Sequence, residues 1–262
     1  MPTPSPSIGL AVPAYEPDLK RLHPYLDMLA TTVADEVLVA LDDPDPGVVD
    51  TLREHAQVSV SPARRGKGAA VTDAFDALAD DVDRLVLADA DASTPPESIA
   101  EIVAALDGGD AEGHTAPTVA VGSRRHPDAD VRSHQSLVRR GLGAGFVSLA
   151  RTLLGVQLSD YQCGAKAVTT DVWRDVRPYL HEPGFAWDVE FVAVADALGE
   201  RIVEVPVTWE DQPNKTVSPI SDTLSMARGL LAARERAATV RGASSPLARI
   251  VCRPTPLVET HE

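Results

Sequence analysis

Lysine is scarce in this chain of 262 residues, where only Lys20, Lys67, Lys166 and Lys215 stand among 24 basic residues. Acids number 39 and the net charge is −15, which disfavours generic binding to the polyanionic backbone of nucleic acid. Such an aspartate-rich, lysine-poor composition resembles surfaces adapted to high salt, where screening relieves the self-repulsion. Cysteine is scarcer still: Cys163 and Cys252 are too few for a disulfide framework or a four-thiolate zinc site. None of the seven histidines has metal-ligand spacing, so a reduced, zinc-free protein is expected. No apolar run approaches the roughly 18 residues of a membrane span. The opening MPTPSPSIGL lacks the charged and apolar regions of a signal peptide. A cytoplasmic location is expected, either free or peripheral at the cytoplasmic face of the membrane.

What is present is a regular alternation. IGLAVP (8–13), EVLVAL (36–41), RLVLAD (84–89) and TVAVGS (118–123) are short and apolar without strict alternation, as strands buried on both faces should be. Between them run stripes of helical spacing: Leu19, Leu22, Leu26, Leu29; Val71, Phe75, Leu78; and Ile99, Ile102, Val103, Leu106. The pattern predicts an α/β fold with a mainly parallel central sheet flanked by helices. Thr94-Pro95-Pro96-Glu97 reads as a capping box with proline at the first helical position. Further on, helices are expected over 136–155, near WDVEFVAVADAL and from about Ile220, with strands at AKAV (165–168) and RIVEVPVTW. One domain is expected over 1–240, with 107–117 a surface loop and 241–262 a poorly ordered tail.

The carboxyl ends of parallel strands are where ligands bind in open α/β sheets, and here three of them carry acids. Asp89 and Asp91 follow the RLVLA run, Asp42 and Asp43 follow LVAL, and Glu16 follows the first strand in VPAYEP. Two carboxylates one residue apart can ligate a hard divalent cation, with diphosphate oxygens completing the shell; alternatively, Asp91 merely caps its turn. SPARRGKGAAV sets Arg64, Arg65 and Lys67 beside the amides of a helix N-terminus, either an anion site or a solvated basic turn. It is not a P-loop, because Gly68 and Ala69 follow Lys67. Pro13, Tyr15, Glu16, Asp42 and Asp43 are candidates for base and ribose contacts. Together these outline a nucleotide-diphosphate site.

VPAYEP, the acidic end of LVALDD, RRGKGAAV, LADADAST, GSRR, DYQCGAKAV, WDVEF and VPVTWED occur in an order that resembles glycosyltransferase family 2, in its dolichyl-phosphate glucosyltransferase-like branch, over about residues 8–235. The resemblance implies a nucleotide-sugar-binding glycosyltransferase A-type fold and an inverting transfer of a hexose from a UDP- or GDP-hexose donor. It also implies Mg2+ or Mn2+ at Asp89 and Asp91, and a polyprenyl or dolichyl phosphate acceptor. By position Lys67 matches the family's GKG lysine, and Asp160 matches an aspartate near the sugar and acceptor. Asp91, Asp160 and Asp188 are thus the candidate catalytic residues. The chain departs from the family at Tyr15-Glu16-Pro17 and at Asp42-Asp43-Pro44-Asp45, where base and ribose contacts are expected.

Residues 122–155 hold six arginines (Arg124, Arg125, Arg132, Arg139, Arg140, Arg151) against Asp128 and Asp130, and an anionic partner is expected there. Val138, Leu142, Phe146, Leu149 and Leu153 form a stripe that suits either a membrane surface or core packing. Arg124 and Arg125 are candidates to hold the acceptor phosphate. Asp188 and Glu190 in GFAWDVEF are the candidates if a base is required; Asp188 has the alternatives of orienting the sugar or capping the helix that follows. A phosphate acceptor, already largely dianionic at neutral pH with its second pKa near about 6, needs no strong base. Cys163 reads as a buried small side chain and Trp209 as packing. The alternatives to this reading are the same fold with a soluble acceptor and a non-catalytic sugar-nucleotide-binding protein. The oligomeric state is left open.

Overall fold

Four β-α passages build the first half of the computed structural model, which describes residues 5–108, 116–132, 137–210, 219–243 and 255–258. Strand β1 (Ile8–Ala14) leads into α1 (Leu19–Thr32), β2 (Glu36–Asp42) into α2 (Pro46–Leu52), β3 (Gln57–Ser61) into α3 (Lys67–Leu78), and β4 (Arg84–Ala88) into α4 (Pro96–Ala104). The second half adds β5 (Val119–Ser123), β6 (Asp130–Arg132), α5 (Leu137–Leu154), β7 (Ala165–Thr169), α6 (Thr170–Val176), α7 (Trp187–Leu198), β8 (Ile202–Pro206), β9 (Thr208–Glu210) and α8 (Pro219–Val240).

The main sheet has the order β3-β2-β1-β4-β7-β5-β8. All its strands run one way except β7, which is antiparallel to both β4 and β5. After β3 the chain crosses to the other side of β1 to lay down β4, so β1 and β4 flank a topological switch point, and their carboxyl ends open a crevice.

Successive side chains of a strand point to opposite faces, and both faces are buried. Leu10 and Val12 join Leu22, Leu26 and Leu29 of α1 and Ile99 and Ile102 of α4 in one core. Ala11 between them joins Val71 and Phe75 of α3 with Trp173 and Trp187 in the other. This two-sided burial is why the strands read as continuous apolar runs.

Three local expectations change. RIVEVPVTW is not one strand: Pro206, which has no N–H to extend the ladder, ends β8, and Thr208–Glu210 pairs instead with β6 in a second, two-stranded sheet. The capping box does not form, since Pro95 is the N-cap and no side chain caps it, while Pro96 does begin the helix. The segment after 241 is not wholly a loose tail: the Leu257 N–H donates to the Leu180 carbonyl at 2.8 Å, and its side chain packs on the core of α3 and α7. The α2 and α6 helices, seven residues each, are too short for periodicity to reveal. Cys252 and Lys215 lie outside the described residues.

Candidate active site

Strain marks the crevice. The three non-glycine residues with left-handed backbone among those described are Glu16 (φ 47°), Asp43 (φ 49°) and Ala92 (φ 54°), just past the ends of β1, β2 and β4. Such conformations cost of order 1–3 kcal/mol each and persist only where the surroundings impose them, commonly at functional sites.

At the centre, Lys67, the first residue of α3, is nearly buried and sets its Nζ 3.0 Å from Asp89 Oδ1 and 2.9 Å from Asp188 Oδ2. Lys166 on β7 donates from its own Nζ to the other Asp188 oxygen at 2.6 Å. Asp188, in the first turn of α7, therefore carries an ammonium on each oxygen, and its side chain is 3% exposed. Burial raises its pKa, but Lys166 and Lys67 outweigh that and hold it below the ordinary carboxylate value. For Lys67 burial acts downward, and Asp188 and Asp89 more than reverse it, so its ammonium stays charged.

Asp89 differs from Asp188 in being 43% exposed. Desolvation raises its pKa, Lys67 opposes this, and the carboxylates of Asp91 and Asp188 add to the rise. It lies so tightly on Gly164 that a Cβ there would fall 1.7 Å from Asp89 Oδ2. Asp91 Oδ1 accepts the Ser93 N–H at 3.0 Å, so it closes its turn as well as standing beside Asp89. Beneath them Tyr25 is buried, its hydroxyl donating to the Thr94 carbonyl at 2.7 Å. Burial and the two aspartates raise its pKa and keep it a neutral donor.

Among the described residues no group of three or more His, Cys, Asp or Glu side chains is placed to hold a metal. An exposed carboxylate beside a second one nevertheless fits Mg2+ or Mn2+, which take one or two protein carboxylates and draw the rest of their shell from phosphates and water.

Other expected contacts are redistributed. Asp42, 3% exposed, is used internally: it accepts the Arg65 N–H at 2.7 Å and the Gly66 N–H at 2.8 Å, and pairs with the Arg65 guanidinium. It shapes the basic loop rather than facing a ligand, and Arg65 is further drawn to Asp73. Asp43 and Glu16 are exposed at the rim, with Pro13 half-buried. Arg64 lies over the Tyr15 ring at 4.1 Å, a cation–π pair at the mouth.

Arg124 is likewise engaged. Its Nε and a terminal nitrogen grip Asp160 at 2.7 and 3.0 Å, and its backbone N–H adds a bond at 3.2 Å. Burial raises the Asp160 pKa, but Arg124 outweighs it and brings the carboxyl to about 2. Asp160 is thus a fixed anion rather than a proton carrier. Glu204 on β8 accepts the Ser159 and Asp160 N–H groups at 2.8 and 2.9 Å and so sets that carboxylate in place.

Arg125 turns the other way, against Gly143, where a Cβ would fall 2.0 Å from its guanidinium. With Arg151, Ala144, Val147, Ser148, Thr152 and Ser159 it lines an open groove of about 440 Å3. Among the described residues Arg151 donates there to neutral groups, the Leu158 carbonyl at 2.7 Å and the Ser159 hydroxyl at 3.1 Å. The apolar stripe of α5 divides: Phe146 and Leu153 pack on the core while Leu149 is 48% exposed. The side chains of Val138, Arg139, Arg140 and Leu142 lie outside the described residues. Burial pushes the Cys163 thiol up to about 11, so it is no nucleophile.

Gly164 and Glu204 are not among the expected site residues, while Lys166, expected close to Asp160, pairs with Asp188. Glu204 is legible only as an acid at an alternate position inside an apolar strand.

A mainly parallel sheet with one reversed strand, and a crevice that gathers aspartates and lysines beside a glycine-flanked helix start, define the glycosyltransferase A-type α/β class. The sequence profile of glycosyl transferase family 2 matches residues 10–156, more than half of the chain, and the chain belongs to that family. It is 29% identical over 237 residues to glycosyltransferase AglD of Haloferax volcanii, covering 86% of this chain and 36% of that one. Over 119 residues it is 34% identical to the dolichyl-phosphate beta-glucosyltransferase of Dictyostelium discoideum, covering 45% of this chain and 36% of that one. The chain thus spans 36% of the length of each of these two relatives. Among solved structures, glucosyl-3-phosphoglycerate synthase from Mycobacterium tuberculosis, in complex with Mn2+, UDP and phosphoglyceric acid, superposes with a TM-score of 0.66 at 18% identity. That match covers 92% of this chain and 80% of the synthase.

Proposed function

We propose that this chain is an inverting hexosyltransferase that takes a hexose from a nucleotide diphosphate sugar, UDP- or GDP-linked, and delivers it to a dolichyl or polyprenyl phosphate. The observation that carries the reading is the open Asp89 carboxylate beside the Lys67 start of α3, together with an arginine-lined groove to which Arg125, just past the end of β5, contributes. Relatives named for dolichyl-phosphate glucosyl transfer and undecaprenyl-phosphate mannosyl transfer support the acceptor class. Fold neighbours that hold UDP with Mn2+ or Mg2+ support the donor and the divalent ion.

In this reading Asp89 and Asp91 hold the ion, which would supply electrostatic stabilisation of the departing diphosphate. Lys67 and the amides at the start of α3 neutralise the same diphosphate. Tyr15 and Arg64 cover the nucleoside at the mouth. Arg125 and Arg151 draw the acceptor phosphate into the groove, and exposed Leu149 on the same helix faces the apolar chain at the membrane surface. An acceptor oxygen attacks the anomeric carbon from the side opposite the diphosphate; the new C–O bond forms as the bond to the diphosphate breaks. Asp188, locked between two ammonium groups, orients Lys67 and Lys166 and takes no proton. The dianionic acceptor makes a base unnecessary.

The test supplies Mg2+ or Mn2+, labelled uridine and guanosine sugars and dolichyl phosphate at high salt, and follows label into the lipid phase. Label there in the wild type, lost in the folded Asp91→Ala variant, is expected. Donor consumption only with water-soluble acceptors would overturn the lipid assignment, and nucleotide-sugar binding without turnover on any acceptor would overturn the enzymatic one.

A further inference from the structure

Glu190 is the one acid of GFAWDVEF that the proposed chemistry leaves unused. Its side chain lies in α7, two residues beyond Asp188, and the residue is 2% exposed. One carboxylate oxygen accepts both the His181 and the Glu182 N–H at 2.8 Å. The other faces Arg236 of α8, whose Nε is 3.8 Å away. Burying a carboxylate is costly, and it is tolerated where charge-assisted bonds of this kind fix a backbone.

The backbone so fixed is the 181–184 loop, which is pressed onto the turn carrying Lys67. The Pro183 carbonyl accepts the Ala69 N–H at 3.2 Å. A Cβ on Gly66 would fall 2.6 Å from the Pro183 oxygen, and one on Gly68 would fall 2.3 Å from the Glu182 oxygen. Gly66 also has φ +104°, so the glycines on both sides of Lys67 are required by the approach of this loop. Any movement of 181–184 therefore moves Lys67, and with it the ammonium shared by Asp89 and Asp188.

We propose that Glu190 is a positioning residue: its carboxylate holds the 181–184 loop against the Gly66–Lys67–Gly68 turn, ties both to α8 through Arg236, and so sets the Lys67 ammonium at the diphosphate. The kinetic part rests on the transferase reading above; the structural part does not.

The charged groups facing Glu190 are Arg236 from α8 and Glu182 from the loop, with the His181 backbone beside them. Burial raises its pKa to about 7, against the lowering by the two N–H donors and by Arg236. Because the folded value is raised, the linked stability is fully present below the unfolded pKa and is lost as pH rises through about 7. Above that pH the ionised clamp is held at the expense of stability.

Glu190→Gln removes the charge and keeps the shape. At pH 8 it should lower kcat by about ten- to a hundredfold through misplacement of Lys67, with no fall in Tm. Wild-type kcat should decline as pH drops through about 7, and this limb should be absent from the variant, whereas any limb from the acceptor phosphate remains in both. Hydrogen–deuterium exchange, which needs no substrate, should show faster exchange at the Gly66–Ala70 amides in the variant at pH 8. Unchanged exchange there overturns the positioning role whether or not the protein is a transferase. Faster exchange with unaltered kcat and pH profile in an active enzyme overturns its part in the reaction.

Discussion

Replacing Asp188 by Asn tests the central charge arrangement most directly. The substitution preserves shape but leaves Lys166, 2% exposed, without its carboxylate, and leaves Lys67 with Asp89 alone. Breaking a buried ion pair by removing one partner costs about 3–5 kcal/mol, because the remaining charge stays desolvated. For a chain of this size about 2–4 °C of Tm follows each kcal/mol, so Tm should fall by about 6–20 °C at pH 7.5. Thermal melts followed by far-UV circular dichroism, together with urea titrations, read this directly. The companion Lys166→Met/Asp188→Asn removes the stranded charge and should recover a large part of the loss. The Asp188 pKa is depressed, so its stabilisation is present above the unfolded value, about 3.9 for aspartate, and is lost as pH falls through the lower folded value. The gap between wild type and Asp188→Asn should accordingly close in strong acid. A single variant within about 1 kcal/mol of wild type at neutral pH, where buried pairs normally show several, would refute the idea that the two lysines depend on this carboxylate.

Gly164→Ala should displace the Asp89 carboxylate, since the new methyl would fall 1.7 Å from Oδ2; loss of Mn2+ and nucleotide binding by calorimetry with the fold retained is expected, and undiminished binding would count against Asp89 as a ligand. Arg125→Ala should raise the acceptor KM by about tenfold or more while leaving the donor KM unchanged, as expected for loss of a charge-assisted phosphate contact of about 1.5–3 kcal/mol; equal changes in both constants would remove the groove from the acceptor site. With a net charge of −15, Tm should rise from low to molar salt as self-repulsion is screened, and a flat salt dependence would show that the acidic surface has no such cost.

The residue pattern alone dictates the sheet and its ligand edge. Apolar runs without alternation demand burial on both faces, and helical stripes between them demand parallel crossovers, so β1, β2, β4 and β5 were legible, as were the acids past the ends of the first three. Periodicity is local, and what it cannot encode is which charged side chains meet across the fold. Arg124 and Arg125 are adjacent in sequence, yet one is spent on Asp160 and the other opens onto the groove of α5. Asp42 reads like Asp89, an acid at a strand end, but its oxygens are consumed by the loop that begins α3. Lys67, Asp89, Lys166 and Asp188 come from four separate elements and form one line of charge only when β7 is inserted between β4 and β5. Desolvation and pairing depend on distance in space, and at this site only the tertiary structure sets that distance.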